Sequence, residues 1–333
     1  MNPGEIATAL KRLAPTLRPG GGEIRALARL SGGASLETWA FAVGEPGHET
    51  RMILRRRDDQ VRDGGIFSTS NPLATEASLL NLAARQDVPV AGVIHVCESD
   101  DGLGEAYIVT AIAGETRGRK IVADETFAAA RQLLAAQCGQ ILARIHAIPP
   151  AAAPVAVSDA ATELSRYEAI YRRMNLKRPI LELGFRMLSR RAPLCASPVV
   201  VHGDFRNGNL MVQRERGVAA VLDWELSHLG DPAEDLGWLC VNSWRFGAPD
   251  LPVGGFGDYE TLLDAYAAES GHRIDLERVL FWQAVGSLKW AVMTQMMVAA
   301  GRAGEDGALE RLMIGRRTSE AELDLIVLLE SLA

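Results

Sequence analysis

The chain has 333 residues, 48% of them hydrophobic and 23% charged, which is enough for two hydrophobic cores of ordinary domain size. Its 35 Lys and Arg against 42 Asp and Glu leave a net charge of −7, which argues against nucleic acid as a partner, and no Lys/Arg-rich run stands out enough to reverse that. The longest uncharged apolar run, Trp290 to Gly301, falls short of the roughly 20 residues a membrane helix needs, and Met1 to Pro15 lacks the apolar core and cleavage site of a signal peptide, so a soluble, cytoplasmic chain without a membrane partner is expected.

Asn2-Pro3 followed by Ile6, Leu10 and Leu13 predicts a capped N-terminal helix, because Asn suits the cap and Pro the first turn. From Glu23 to Arg57 the pattern becomes β-prone: EIRALARL, ETWAFAV and RMILRRR, separated by SGGAS and EPGHE, predict three antiparallel strands. Residues 58 to 70, DDQVRDGGIFSTS, are polar and aperiodic and predict a mobile loop. Asn71-Pro72 then opens a helix with Leu73, Ala77, Leu80 and Ala84 on one face, interrupted at Pro89. VAGVIHVCE and EAYIVTAI supply two further strands flanking the turn Asp100-Asp101-Gly102.

Beyond a hinge near residues 110 to 114 the composition turns helical. TFAAARQLLAAQCGQILARIHAI is one helix, the Pro/Ala stretch 149 to 154 a linker, and Thr162 to Arg191 a long helical pattern. Strand signals return only at PVVVHGD, NLMVQ and GVAAVLDW, after which helices run from about Pro232 to the C-terminus. The expectation is an α+β chain: a β-rich lobe over 1–113 with an antiparallel sheet, and a larger, mostly helical lobe over 114–333. Cys97, Cys138, Cys195 and Cys240 form no C-x-x-C pair and read as buried, reduced thiols. Met293, Met296 and Met297, at helical spacing beside Trp290, read as core packing. The bases Arg166, Arg172, Arg173, Lys177 and Arg178 form a solvated helix face, or one that attracts an anionic substrate such as a coenzyme A thioester or a phosphorylated sugar.

The segment that carries chemistry is HGDFRNGN, residues 202 to 209, directly after Val199-Val200-Val201. It fits H-x-D-x-x-x-x-N, a spacing that in kinases places a carboxylate to accept the proton of an attacking hydroxyl and an amide to hold a metal ion. Those residues are Asp204 and Asn209. Magnesium takes a few hard oxygen ligands and keeps several waters, so a second carboxylate is required, and Asp223 offers it at the end of the strand Ala219 to Leu222. As plain turn residues after strands these acids would need no chemistry, but spacing, strand context and order all agree with a kinase centre.

On these residues the chain resembles the aminoglycoside phosphotransferase family, a branch of the bilobal protein-kinase-like fold. The likeness runs from about Leu30 to the C-terminal helices and is sharpest from Val199 to Leu239. VLDWELSHLGDPAEDLGWL is most similar to the phosphotransferase-like domains related to those fused to acyl-CoA dehydrogenases. The resemblance implies a kinase that uses Mg2+ and ATP, with GTP as an alternative, on the hydroxyl of a small molecule. It implies Asp204 as catalytic base, Asn209 and Asp223 as metal ligands, and His202 as the residue that orients the catalytic loop. Asp235 would bind that loop's backbone or simply sit as a first-turn acid on its helix dipole. Asp223 is followed by Trp224-Glu225, not the D-F-G of protein kinases, and no A-P-E segment follows, which disfavours a protein substrate.

The nucleotide side departs more from the kinase pattern. SGGASLE, with Gly32, Gly33 and Ser35, sits between two strands without G-x-G-x-x-G and reads as a hairpin turn or as a loop covering phosphates. On the third strand Arg55 stands where kinases carry Lys, with Glu76 as its helix partner. That substitution is the only support for a rival reading, a catalytically silent nucleotide-binding module.

Overall fold

A computed structural model of the chain describes residues 1–30, 36–57, 70–303 and 308–332. Gly32, Gly33 and Ser35, and the loop expected over 58 to 70 apart from Ser70, lie outside the described residues. The chain forms two compact units, Met1–Ala113 with Trp224–Leu226, and Gly114–Asp223 with Ser227–Ala333.

The first unit opens with α1 (Pro3–Leu17), whose N-terminus is closed by a reciprocal capping box: the Asn2 side chain accepts from Glu5 N and the Glu5 side chain from Asn2 N. Strands β1 (Ile24–Leu30), β2 (Leu36–Val43) and β3 (Thr50–Arg57) precede helix α2 (Leu73–Ala84), and β4 (Val93–Val96) and β5 (Ala106–Thr110) follow it. They form one antiparallel sheet in the order β1-β2-β3-β5-β4. Alternation along β2 and β3 sends Trp39, Phe41, Met52 and Leu54 into a core with Ile6, Leu10, Leu13 and Leu17 of α1. Arg56 shares that face and is 0% exposed, a position no sequence pattern marks. Its charge is met by Glu37, which lies directly opposite on β2, while its Nε donates to Leu103 O at 3.2 Å. The Asp100-Asp101-Gly102 turn is a short 3-10 turn closed by Gly102 at φ 72°.

The second unit holds α3 (Gly118–Ala123), α4 (Ala128–His146), α5 (Ala160–Arg173) and α6 (Pro179–Arg191), then β6 (Val199–Val201), β7 (Leu210–Gln213), β8 (Gly217–Val221) and β9 (His228–Gly230). It ends with α7 (Pro232–Leu239), α8 (Tyr259–Ser270), α9 (Leu276–Arg302), α10 (Ala308–Ile314) and α11 (Thr318–Ser331). Two sequence expectations are corrected here. The pattern from Thr162 to Arg191 is two helices, because Asn175 turns the chain with φ 49° and Pro179 starts α6. The returning strands number four, because β9 pairs antiparallel with β6 through Val199↔Gly230 and Val201↔His228. β7 and β8 form a separate antiparallel hairpin. α9 is buried on nearly every face from Val279 to Val292; Met296 is in the core as expected, whereas Met293 and Met297 are only half-buried. No helix among the described residues is long and apolar enough to cross a membrane.

Candidate active site

The buried valines of β6 anchor the start of the H-x-D-x-x-x-x-N segment, and a carboxylate beneath it fixes its backbone. Asp235, 0% exposed in the first turn of α7, accepts from His202 N at 2.7 Å through Oδ2 and from Gly203 N at 2.9 Å through Oδ1. His146 adds a third contact at 3.2 Å and is itself held by Tyr266 Oη at 3.0 Å. Burial would raise the Asp235 pKa, but the His146 contact and the loop N–H groups outweigh it and hold the carboxyl below its ordinary range. Gly203 has φ 79°, a left-handed conformation that favours glycine and leaves its N–H facing that carboxylate.

The His202 ring uses both nitrogens in one neutral tautomer. Nε2 donates to Leu222 O at 3.0 Å, and Nδ1 accepts from Asp204 N at 3.2 Å. Burial pushes the imidazole below its ordinary pKa despite the nearby charges of Asp235, Asp204 and Asp223. The ring thus ties Leu222 O and Asp204 N together through its two nitrogens.

The Asp204 carboxylate is held by three donors. Oδ1 accepts from Trp238 Nε1 at 2.7 Å and from Arg206 Nε at 3.0 Å, and Oδ2 accepts from Asn209 Nδ2 at 2.6 Å. Asn209 Nδ2 also donates to Asp204 O at 3.0 Å. Both partners of that nitrogen are acceptors, which fixes the amide so that its oxygen is the atom left for another ligand. Asp223 follows immediately on a residue tied twice to this loop: Leu222 N donates to Asn209 O at 2.8 Å, and Leu222 O accepts from His202. Asp223 adopts φ 67°, a conformation uncommon outside glycine and often found where function dictates the backbone.

Trp238, Arg206 and their neighbours were not singled out by sequence reasoning. The Trp238 ring lies 5.2 Å from that of Trp244, which in turn lies 4.8 Å from that of Trp290, and the Arg206 guanidinium stacks 4.6 Å over Trp244. The available signal was the spacing of Asp235 and Trp238 on one short helix, three residues and so one face apart.

In the first unit, Arg55 and Glu76 are paired, with Nη1 and Oε2 3.9 Å apart, and Tyr107 Oη donates to the same Glu76 oxygen at 3.1 Å. Tyr107 is directly opposite Arg55 across β3 and β5, so strand register brings these two together and α2 supplies Glu76. On α5 and α6, Arg166 pairs with Glu163, Arg172 with Glu168 and Glu182, and Arg178 with Glu322.

The phosphotransferase enzyme family model matches residues 26–272. Acyl-CoA dehydrogenase family member 10 of Mus musculus is 24% identical over 200 residues, 58% of this chain but 18% of that protein. The chain thus spans under a fifth of that relative's length. A solved putative aminoglycoside phosphotransferase from Ralstonia eutropha JMP134 superposes with a TM-score of 0.75 at 21% identity, covering 97% of this chain and 98% of the other. Spectinomycin phosphotransferase in complex with ADP and spectinomycin superposes at 0.64 and 12% identity, covering 96% and 98%. The chain belongs to the phosphotransferase enzyme family and has its α+β, kinase-like fold.

Proposed function

We propose that this family member is a small-molecule kinase that moves the γ-phosphoryl of ATP or GTP onto a substrate hydroxyl in a magnesium-dependent reaction, with Asp204 as the catalytic carboxylate. The observation that carries the reading is how the Asp204 lone pairs are used. Oδ1 spends both on Trp238 and Arg206, whereas Oδ2 gives one to Asn209 and keeps one open. A hydroxyl donating to that open position has its oxygen aligned by a fixed carboxylate. As the oxygen bonds to the γ-phosphorus, its proton passes to Asp204 Oδ2. The bond from that phosphorus to the bridging oxygen breaks, with its electron pair leaving on the nucleoside diphosphate.

The donor set suits magnesium, because the amide oxygen of Asn209 and the carboxylate of Asp223 are hard oxygen ligands with no nitrogen or sulfur among them. Bound there, magnesium would neutralise phosphate charge. Asp235 and His202 keep the loop in register and take no proton. Arg55, buttressed by Glu76, grips the α and β phosphates with a fork that carries charge at any physiological pH. The backbone around Gly32, Gly33 and Ser35 would cover the phosphates. A solved family structure that holds ADP together with spectinomycin supports a nucleotide donor and a small-molecule acceptor.

The test is transfer from labelled ATP and GTP to pooled hydroxylated metabolites, hydroxyacyl thioesters and aminoglycosides, with wild type and Asp204→Ala side by side. A pool phosphorylated by wild type and left unmodified by the variant is expected. Nucleotide binding without transfer to any pool would replace this reading with that of a nucleotide-binding regulatory module.

A further inference from the structure

Lys289, on α9, is 7% exposed, and a lysine is seldom buried without a reason. Its Nζ lies 4.8 Å from the centroid of the Trp238 ring and 5.6 Å from that of Tyr167. Burial works against the ammonium, yet the surrounding Tyr167, Glu163 and Glu234 raise its pKa above the ordinary lysine value, so it is charged at neutral pH. The same indole donates through Nε1 to Asp204 Oδ1 at 2.7 Å.

The packing holds this geometry from the α9 side. Gly286, one turn before Lys289, faces the same ring: a Cβ there would meet Val241 Cγ2 at 2.7 Å and Trp238 Cε3 at 3.0 Å. Gly237, beside Trp238 on α7, allows the two helices to approach, since its Cβ would meet Gln283 N and Trp282 Cβ of α9 at 2.7 Å each. Two glycines, one on each helix, therefore let α9 press its cation against the indole that touches the catalytic carboxylate.

We infer that Lys289 and Trp238 are positioning residues for phosphoryl transfer, forming a relay in which the ammonium polarises the indole and strengthens the N–H hydrogen bond that fixes Asp204 Oδ1. A cation on an aromatic face draws electron density toward itself, which makes the ring N–H more positive and a better donor. Charge-assisted donors to a carboxylate hold its orientation most firmly. With Oδ1 clamped, Oδ2 is the atom turned to the acceptor. The kinetic consequence rests on the kinase reading above, but the polarised hydrogen bond does not.

The test is the indole N–H resonance of Trp238 in the full chain, assigned by its loss in Trp238→Phe, read beside steady-state kinetics. The resonance should lie downfield of those of the other tryptophans, and should move upfield in Asp204→Asn and in Lys289→Met. Lys289→Arg, which keeps a cation at the ring, should restore it. Trp238→Phe and Lys289→Met should each lower kcat about tenfold while the nucleotide KM stays within about twofold, the pattern of an interaction lost in the transition state. Should Lys289→Met fail to fold with its acids uncompensated, Lys289→Met/Glu163→Gln removes one of them and carries the same test. An unmoved Trp238 resonance on loss of the cation, or an unchanged kcat in Trp238→Phe, overturns the relay. If wild type phosphorylates no acceptor, the kinase reading falls, and the resonance alone decides whether Lys289 acts on the indole.

Discussion

Asp235 is the residue on which the H-x-D loop rests, because one buried carboxylate satisfies two consecutive loop N–H groups and contacts a histidine. Asp235→Asn, unable to accept from all three, should cost about 3 kcal/mol by denaturant unfolding. A loss under about 0.5 kcal/mol would mean the loop holds its shape without it. His202 makes a related prediction about pH. Its folded pKa is depressed by burial, so the unfolded chain binds a proton below about pH 6.5 that the folded chain does not. Stability should therefore be full above that pH and fall as pH drops, by up to about 1.4 kcal/mol per pH unit from this one group. His202→Gln, which cannot titrate, should flatten that step, and an equal slope in both proteins would contradict the buried neutral ring. The contact between Asp204 and Asn209 was legible because the H-x-D-x-x-x-x-N motif sets fixed residue types at fixed spacing within eight residues of chain. Trp238 and Lys289 were not, since an indole and a lysine in apolar helices look like core packing and a solvated charge until the helices are placed together.

At the scale of elements, local signals served well where a cap, a turn or an alternation marks its own boundary, as the Asn2 capping box and the strands β2 and β3 do. They failed where partners are distant. The three residues of β9 pair with β6 and with the distant segment around Val157, and Arg56 is buried against Glu37 across the strands and Leu103 O. The division of the long helical pattern at Pro179 was visible in principle, since a proline favours a first helical turn, but the apolar periodicity runs on past it. The α7–α9 contact yields its own prediction. Gly286→Ala forces its new methyl against Val241 and the Trp238 ring, so it should cost about 1–3 kcal/mol of stability. It should also lower kcat through displacement of the indole. A variant as stable and active as wild type would show that α9 does not set the position of Trp238.

For the molecule as a whole, the four cysteines are free, and burial pushes the thiols of Cys97 and Cys240 up to about 12 and raises those of Cys138 and Cys195 as well. Against the expectation of four buried thiols, only Cys138 and Cys240 are buried, whereas Cys97 and Cys195 are half-buried. Cys138 and Cys240 should therefore stay unlabelled by a thiol reagent at pH 8 until the protein unfolds, and their rapid labelling in the native state would contradict their burial. The central claim concerns Asp204, and it is tested most directly by measuring nucleotide affinity and phosphoryl transfer together in wild type and Asp204→Asn. Asp204→Asn should leave the nucleotide Kd unchanged and lower kcat by about 10² to 10⁴. Transfer that survives at the wild-type rate would contradict the assignment of Asp204 as the carboxylate that receives the acceptor's proton.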